Sequence, residues 1–326
     1  MEKADKGDYS FSTCWNIKRH ESGAAMIEEI LSLGFRNIEL NYNVTFDLLR
    51  TIEPMIERGD IAVSSVHNTF PFIDDPDYGT DSVLLGFDDE TKRKRAVELM
   101  VRSAEYADRY GAGAVVVHPG EVPFDYDADG ELKRLYADQG PASSAYRARF
   151  LELAERRIER SGVYLERISR SLEEACDIVA KRGYRVVFGI ETRARFHQIP
   201  TIAESASIID RLGGAPVGLW YDIGHGMMME RMGLYENDAT LLAKQGKVAG
   251  VHIHETIGLS DHWCPYVHSG NNSYFDRFLP VIEAAPIKVY ELKAACEPET
   301  IEASHRMIVE KLAVRAKERI NEASRR

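Results

Sequence analysis

The chain has 326 residues, of which 44% are hydrophobic, and a formal net charge of −11 at pH 7. This length and composition are sufficient for a full hydrophobic core, and α/β barrels of this size are commonly one domain, so we predict a single domain over residues 1–326. An acidic chain repels a phosphate backbone, which disfavours nucleic acid as a partner.

Cysteine usage and hydropathy indicate the compartment. The four cysteines form no C-x-x-C pair, and scattered cysteines in a chain of this size are typical of reduced thiols. Residues 1–10 lack the apolar stretch of a secretory signal peptide, and no apolar run approaches the roughly 20 residues that span a bilayer. We expect a cytoplasmic protein without membrane contact. If the chain assembles, a homodimer is the commonest form.

Eight short segments with strand character alternate with helical patterns. The predicted strands are Tyr9–Trp15, Asn37–Asn41, Ile61–His67, Ala114–His118, Arg185–Glu191, Val217–Asp222, Val248–His254 and Ile287–Leu292. Most are continuously apolar, which is typical of parallel strands buried on both faces. No G-x-G-x-x-G or G-x-x-x-x-G-K sequence occurs, which disfavours a doubly wound nucleotide-binding sheet. The alternation predicts an α/β fold, the (β/α)8 TIM barrel.

Two connections are longer than the others. An acidic and aromatic loop, Phe70–Asp89, and a helix near Thr91–Tyr110 follow the third strand. A loop, Glu121–Ala142, and helical sequence to Lys181 follow the fourth. Long loops in compact domains are usually functional, so we predict long insertions after strands three and four at the catalytic face. The segment Glu299–Arg326 predicts a charged C-terminal helix.

Six of the predicted strands end in acidic or imidazole side chains. In chain order these are His67, His118, Glu191, Asp222, His252 or His254, and Glu291. Such groups are costly to bury without a partner. All strands of a parallel barrel direct their carboxyl ends to one mouth, so we expect these residues to meet there.

Four of these residues predict a metal site. Glu191, Asp222, His252 and Glu291 follow one another at intervals of roughly 30–40 residues, about one βα unit each. Three carboxylates around one point repel each other unless a cation neutralises them. Mixed oxygen and nitrogen donors suit Mn²⁺ or Zn²⁺, with Co²⁺ and Mg²⁺ as alternatives. The competing interpretation is that each group pairs with Lys or Arg.

The sequence around these residues resembles the xylose-isomerase-like barrels, which include sugar isomerases and epimerases and the type-four apurinic-site endonucleases. The matching segments are VHNTF (66–70), VVVHPGE (115–121), GIETRA (189–194), WYDIGHG (220–226), GVHIHET (250–256) and VYELK (289–293). The resemblance spans nearly the whole chain. It implies that Glu191, Asp222, His252 and Glu291 are the shared metal ligands. His252 is preferred over His254 because it matches the family's G-x-H position.

The endonuclease branch of that family holds further ions, and the resemblance implies where this chain would bind them. His67 and His118 match the ligands of one, and His225 and Asp261 with a nearby histidine match those of another. Two departures occur. Asp261-His262 replaces that branch's Asp-x-His, and residues 256–260 lack the arginine that the epimerase branch often carries.

Our first functional hypothesis is a divalent-metal-dependent isomerase or epimerase of a sugar or sugar derivative. Proton transfer would pass through a metal-stabilised enediolate, with Glu191 and Glu291 as the acid–base pair. His225 lies on the turn that leaves the sixth strand, where it could bind substrate or a second metal, and Arg193 and Arg195 could bind a carboxylate or phosphate. The residues assigned to substrate binding are His67, His225, Arg193 and Trp15.

The second hypothesis is a metal-dependent phosphodiesterase of the apurinic endonuclease type. His67 and His118 favour it, whereas acidic loops that contain Asp74, Asp75 and Asp77 would repel a DNA duplex. The third is a non-catalytic barrel that binds a metal or a sugar. The residues favour the first, so we expect a small carbohydrate-like substrate as partner, and neither nucleic acid nor membrane.

Overall fold

The computed structural model describes residues 5–269 and 273–323. Its centre is a closed barrel of eight parallel strands. In chain order they are Ser10–Ser12, Asn37–Leu40, Ala62–His67, Ala114–Val117, Val187–Glu191, Val217–Asp222, Val248–Ile253 and Lys288–Tyr290. Neighbouring strands pair in chain order, and the first pairs with the eighth, which closes the barrel. The predicted (β/α)8 TIM barrel is confirmed.

One or two helices follow each barrel strand in the chain. They span Gly23–Ser32, Phe46–Glu57, Glu90–Arg109, Ala128–Gln139, Ser144–Arg182, Ile202–Arg211, Ile223–Met232, Thr240–Lys244, Leu279–Ala284 and Pro298–Ala323. The last is the predicted C-terminal helix. Within residues 5–269 and 273–323, no helix combines the length and apolar character needed to cross a membrane.

The long connections lie after the third and fourth strands, as predicted. The first contains 3-10 turns at Pro76–Tyr78 and Leu84–Gly86. The prediction of a loop throughout Glu121–Ala142 is wrong, because part of this segment forms the helix Ala128–Gln139. Asp127 caps that helix by accepting the backbone N–H of Gly130 at 2.9 Å. Glu131 also pairs with Arg149 of the next helix at 2.8 Å, a tertiary contact that local sequence does not reveal.

The strands are apolar on both faces because both faces are buried. Val116 packs with Trp220 and Val289 in one cluster, whereas Val115 belongs to the large cluster shared with the helices. Trp220 is accommodated by a glycine in a neighbouring strand, since a Cβ at Gly250 would lie 2.4 Å from the indole ring. The Trp220 ring therefore lies within 5.3 Å of the His252 ring and supports it from one side.

Two small antiparallel sheets extend the barrel. Gly120–Glu121 pairs with Gln198–Ile199, and Glu255–Ile257 pairs with Ser260–Trp263 in a hairpin. The hairpin turns at Gly258, whose φ of +60° is a conformation that side-chain-bearing residues rarely adopt. The sequence did not predict this hairpin, which brings Asp261 and His262 to the carboxyl ends of the barrel strands.

Candidate active site

The barrel brings the four predicted metal ligands to one point. Glu191 and Asp222 end the fifth and sixth strands, His252 lies in the seventh, and Glu291 directly follows the eighth. All four are buried, and one donor atom of each lies within 4.8 Å of the others. Acids from distant segments thus share a small space, while their role as ligands stays a prediction.

His252 is oriented from the side opposite this centre. Its Nε2 lies 3.1 Å from both carboxylate oxygens of Glu39, which also accepts the Ser65 hydroxyl at 2.8 Å. With the proton on Nε2, Nδ1 carries a lone pair and faces oxygens of the other three residues at 3.0–3.7 Å. Nδ1 makes no hydrogen bond to any described residue. An imidazole held by a carboxylate on one nitrogen and open on the other is typical of a metal ligand.

Sequence reasoning missed Glu39. It is fully buried in the second strand, within the otherwise apolar run Ile38-Glu39-Leu40. The prediction considered the last residues of strands, and this carboxylate lies just before the end of its strand. The feature that could have identified Glu39 is an acidic residue within an apolar strand, since a buried carboxylate requires a partner.

His254 has a different role from His252. Its Nδ1 accepts the backbone N–H of His262 at 2.9 Å, so its proton is on Nε2, which donates to Asp222 at 2.8 Å. Burial lowers the pKa of His254, which keeps the ring neutral. Both nitrogens are therefore in use, and His254 positions Asp222. A side chain at Gly224 would lie 2.0 Å from the His254 ring, so this glycine permits the contact.

The centre attracts positive charge. Burial raises the pKa values of Glu191 and Glu291, but His118 beside the first and His252 beside the second bring both pKa values well below their usual range. Burial also lowers the pKa of His252, but Glu291 and Glu39 raise it well above its usual value. The carboxylates stay ionised, and either protons on the histidines or a cation must balance them.

Arg193 borders one side of the centre. Its Nη1 lies 2.7 Å from Nε2 of His118 and 3.3 Å from a Glu191 oxygen, and its Nη2 donates to Asp81 at 3.0 Å. Burial and then the Arg193 charge lower the pKa of His118 to about 4. The guanidinium thus contacts both His118 and Glu191 and supplies positive charge beside the Glu191 carboxylate.

His67 lies between two other imidazoles. Its ring centroid is 4.8 Å from that of His118 and 5.4 Å from that of His252. Neither ring nitrogen hydrogen-bonds to a described residue, and Nε2 lies 3.7 Å from Glu191 and 3.8 Å from Glu291. A buried imidazole with unused nitrogens can bind a substrate oxygen or a cation.

The hairpin completes another side of the centre. His225 donates its backbone N–H to Asp222 at 2.7 Å, and its Nε2 lies 3.7 Å from Asp261. The rings of His225 and His262 meet edge to face at 5.1 Å, and His262 lies 3.4 Å from Glu291. Asp261 and His262 are adjacent in sequence, yet the hairpin places both beside His225.

A cavity of about 240 Å³ opens over this centre. Its lining is mostly polar and provides room for a small molecule rich in oxygen. The residues that line it are Tyr42, Asp81, His118, Lys133, Glu191, Arg193, Ala194, Arg195, Gln198, His225, Asp261, His262 and Glu291.

The structure corrects the assignment of Trp15 to substrate binding. The side chain is fully buried, and its indole N–H donates to the Cys296 carbonyl at 2.9 Å. Its ring meets Phe11 edge to face at 5.5 Å. The first strand ends at Ser12, and the following 3-10 turn places Trp15 in the core. Tyr42, which sequence reasoning missed, is the aromatic side chain that lines the cavity.

Together the fold and the site define a (β/α)8 barrel with buried carboxylates and imidazoles at the carboxyl ends of its strands. A family model described as xylose isomerase-like TIM barrel matches residues 27–286, and the chain belongs to that family. The resemblance predicted from the sequence is confirmed. No curated protein sequence matches this chain.

Several solved structures share the fold. The 3-keto-D-glucoside 4-epimerase YcjR of E. coli is 17% identical, over 94% of this chain and 100% of that chain, with a TM-score of 0.62. An L-ribulose 3-epimerase is 15% identical over 96% and 97% of the two chains, with a TM-score of 0.63. The D-psicose 3-epimerase of Clostridium cellulolyticum H10 is 13% identical over 94% and 99%, with a TM-score of 0.61. At these identities the likeness shows the fold alone.

Proposed function

We propose that this protein is a divalent-metal-dependent isomerase or epimerase of a sugar or sugar derivative. The observation that carries the proposal is the buried Nδ1 of His252, which has no hydrogen bond to a described residue and faces three carboxylates. The similar solved structures named as sugar epimerases support the same class of substrate.

The donor set suits a divalent cation. Glu191, Asp222, Glu291 and His252 supply oxygen and nitrogen ligands that Mn²⁺ and Zn²⁺ accept, with Co²⁺ and Mg²⁺ as alternatives. Glu39 holds the imidazole in the tautomer that such binding needs. When bound, the ion would polarise a substrate carbonyl and stabilise the negative charge that develops on its oxygen.

Glu191 and Glu291 are the proposed acid–base pair. Each directs one oxygen toward Nδ1 of His252. The other Glu191 oxygen lies 2.5 Å from His118, and the other Glu291 oxygen lies 3.8 Å from His67. Each carboxylate thus has one oxygen for the ion and one for a proton. The fifth and eighth strands approach the centre from different sides, so the pair can serve two carbons or two faces of one carbon.

The remaining polar groups suit a hydroxylated substrate. His225 and Arg193 line the cavity, and the buried His67, whose ring lies 4.8 Å from that of the lining residue His118, has unused nitrogens. We place these three side chains on substrate oxygens. Lys133 and Arg195 on the same rim add positive charge, which favours a substrate rich in oxygen.

Proton exchange with solvent tests the proposal. The protein is incubated in D₂O with a panel of ketoses, before and after removal of metal by a chelator. We expect deuterium at the carbon beside the carbonyl, dependent on added Mn²⁺ or Zn²⁺ and lost in Glu291→Gln. Retained metal without exchange on any sugar would instead indicate the non-catalytic barrel.

One observation favours a second candidate, the phosphodiesterase of the apurinic endonuclease type. Donor atoms of His67, His118 and Glu191 also lie within 4.8 Å of one another, as a further ion would require. Against it, Nη1 of Arg193 already contacts both His118 and Glu191. Nicking of abasic duplex DNA with three ions at the barrel mouth would support this candidate, and one ion there supports the isomerase or epimerase.

A further inference from the structure

A separate group of soft metal donors lies beside the barrel mouth. The sulfur atoms of Cys264 and Cys296 and a ring nitrogen of His268 lie within 4.8 Å of one another. Both cysteines are buried free thiols, and His268 is exposed. None of the three lines the cavity over Glu191 and Glu291, so this group is distinct from the proposed active site.

The group joins two segments that follow different barrel strands. Cys264 comes directly after the hairpin strand Ser260–Trp263, and Cys296 follows the eighth barrel strand. The Cys296 thiol lies 3.6 Å from the His262 carbonyl, and the backbone N–H of Lys293 donates to the same carbonyl at 2.9 Å. The group therefore lies directly behind His262, which lines the mouth.

We propose that Cys264, Cys296 and His268 bind a zinc-type ion, with water as the fourth ligand. In tetrahedral zinc sites, bonds of about 2.3 Å to sulfur and about 2.0–2.1 Å to nitrogen separate the ligand atoms by roughly 3.5–3.8 Å. The observed spacing accommodates this with small side-chain movements. Two thiolates neutralise a dication, and soft sulfur donors select zinc over Mg²⁺ or Mn²⁺.

The position of His268 distinguishes a metal site from a simple thiol pair. A disulfide between two cysteines needs no imidazole, yet an exposed histidine is held beside the buried sulfurs. The Trp263 ring lies 4.9 Å from the His268 ring, and the Lys293 ammonium lies 4.4 Å from the centroid of the Trp263 ring. The bound ion would fix the hairpin to the segment after the eighth strand and so hold Asp261 and His262 at the mouth.

Cobalt titration of the full reduced chain, stripped of metal, tests the site. Thiolate ligands give an intense near-ultraviolet charge-transfer band with Co²⁺, which carboxylates and imidazoles do not give. We expect the band in the wild type and in Asp222→Asn, and its loss in Cys264→Ser and Cys296→Ser. Since His268 is exposed, His268→Ala should fold and bind this cobalt at least about tenfold more weakly.

Two other thiols provide matched controls. Cys176 lies in the long helix Ser144–Arg182, and the Cys14 thiol lies 3.4 Å from the Leu292 carbonyl. Neither thiol belongs to the group of Cys264, Cys296 and His268, so Cys176→Ser and Cys14→Ser should keep the band. If the Cys264 or Cys296 variants fail to fold, alkylation of the wild type decides. Zinc should slow the modification of Cys264 and Cys296 and leave Cys176 unchanged.

The proposal is overturned by a missing charge-transfer band, by His268→Ala binding cobalt as tightly as the wild type, or by alkylation rates that zinc does not alter. Formation of a Cys264–Cys296 disulfide with a small-molecule disulfide as oxidant, without any cobalt band, would identify a redox pair and also overturn it.

Discussion

Glu39 provides a direct test of how the centre holds its ion. The Glu39→Gln substitution removes a buried negative charge that lies 3.1 Å from Nε2 of His252. Partners of this kind raise the basicity of a ligating imidazole, and their loss typically weakens metal binding about 10- to 100-fold, or roughly 1.4–2.7 kcal/mol. We expect a loss within that range, with the fold retained because Gln has nearly the same shape.

The pH at which binding is measured matters for this variant. Glu39 also raises the pKa of His252, so its removal weakens the competition between proton and metal ion for Nδ1. The weaker proton competition partly offsets the lost metal affinity near neutral pH. The offset disappears at alkaline pH, where the His252 ring carries no extra proton. The difference between wild type and Glu39→Gln should therefore grow as the pH rises.

Titration calorimetry with Mn²⁺ measures both effects, since the thiol group described above favours softer ions. Glu53→Gln is the matched control, because Glu53 accepts the Tyr110 hydroxyl at 2.6 Å outside the barrel mouth. It should bind Mn²⁺ like the wild type. Equal affinities of Glu39→Gln and wild type at alkaline pH would refute the assignment of Nδ1 as a metal ligand.

Four further outcomes are expected. The affinity for Mn²⁺ should rise as the pH passes the raised pKa of His252, because the protonated ring repels the ion below that pKa. An affinity that does not change with pH in calorimetry would contradict this expectation. Arg193→Ala should add one ion per chain by native mass spectrometry, because it removes the guanidinium that contacts both His118 and Glu191, and an unchanged count would argue against that role. Gly250→Ala should lower the free energy of unfolding by about 1–3 kcal/mol, because its Cβ would lie 2.4 Å from Trp220. The control is Gly162→Ala in a helix, where the added Cβ would meet no described atom within 4 Å beyond its chain neighbours and the adjacent helix backbone. It should raise the free energy of unfolding by roughly 0.5–1 kcal/mol in urea denaturation, and equal effects of the two substitutions would count against the packing argument. Trp15→Phe should lower the free energy of unfolding by roughly 1–3 kcal/mol, because it removes the indole hydrogen bond to the Cys296 carbonyl. A changed KM for sugar in this variant would instead support the original assignment of Trp15 to substrate binding.

Residues at strand ends were predictable because a parallel barrel sends every carboxyl end to the same mouth. Glu191, Asp222 and Glu291 could thus be grouped without knowing any distance between them. Glu39 could not be found by that rule, because its place before the end of the second strand gave it no distinguishing position. Asp261 could be predicted only through the family resemblance. Its approach to His225 depends on a hairpin that turns at Gly258, a glycine with positive φ.

Tertiary contacts decided the remaining differences. Trp15 was assigned to substrate binding as an aromatic residue, but the first strand stops at Ser12 and the indole N–H donates to a carbonyl in the core. Helix Ala128–Gln139 combines a local cap, Asp127 on the Gly130 N–H, with a tertiary contact between Glu131 and Arg149 of the next helix. The carbonyl partner of Trp15 lies far along the chain, outside any local pattern.

The number of bound ions connects the two proposed metal sites. A single ion at the mouth and one at the thiols give two per wild-type chain, whereas three ions at the mouth would give four. Cys296→Ser should lower the first count to one and leave the mouth ion in place, since Cys296 contacts the backbone carbonyl of His262 and no side chain of the carboxylate centre. The ion that remains in Cys296→Ser is then the one whose removal should abolish deuterium exchange. We propose that Arg193, which contacts His118, disfavours a further ion at His67 and His118.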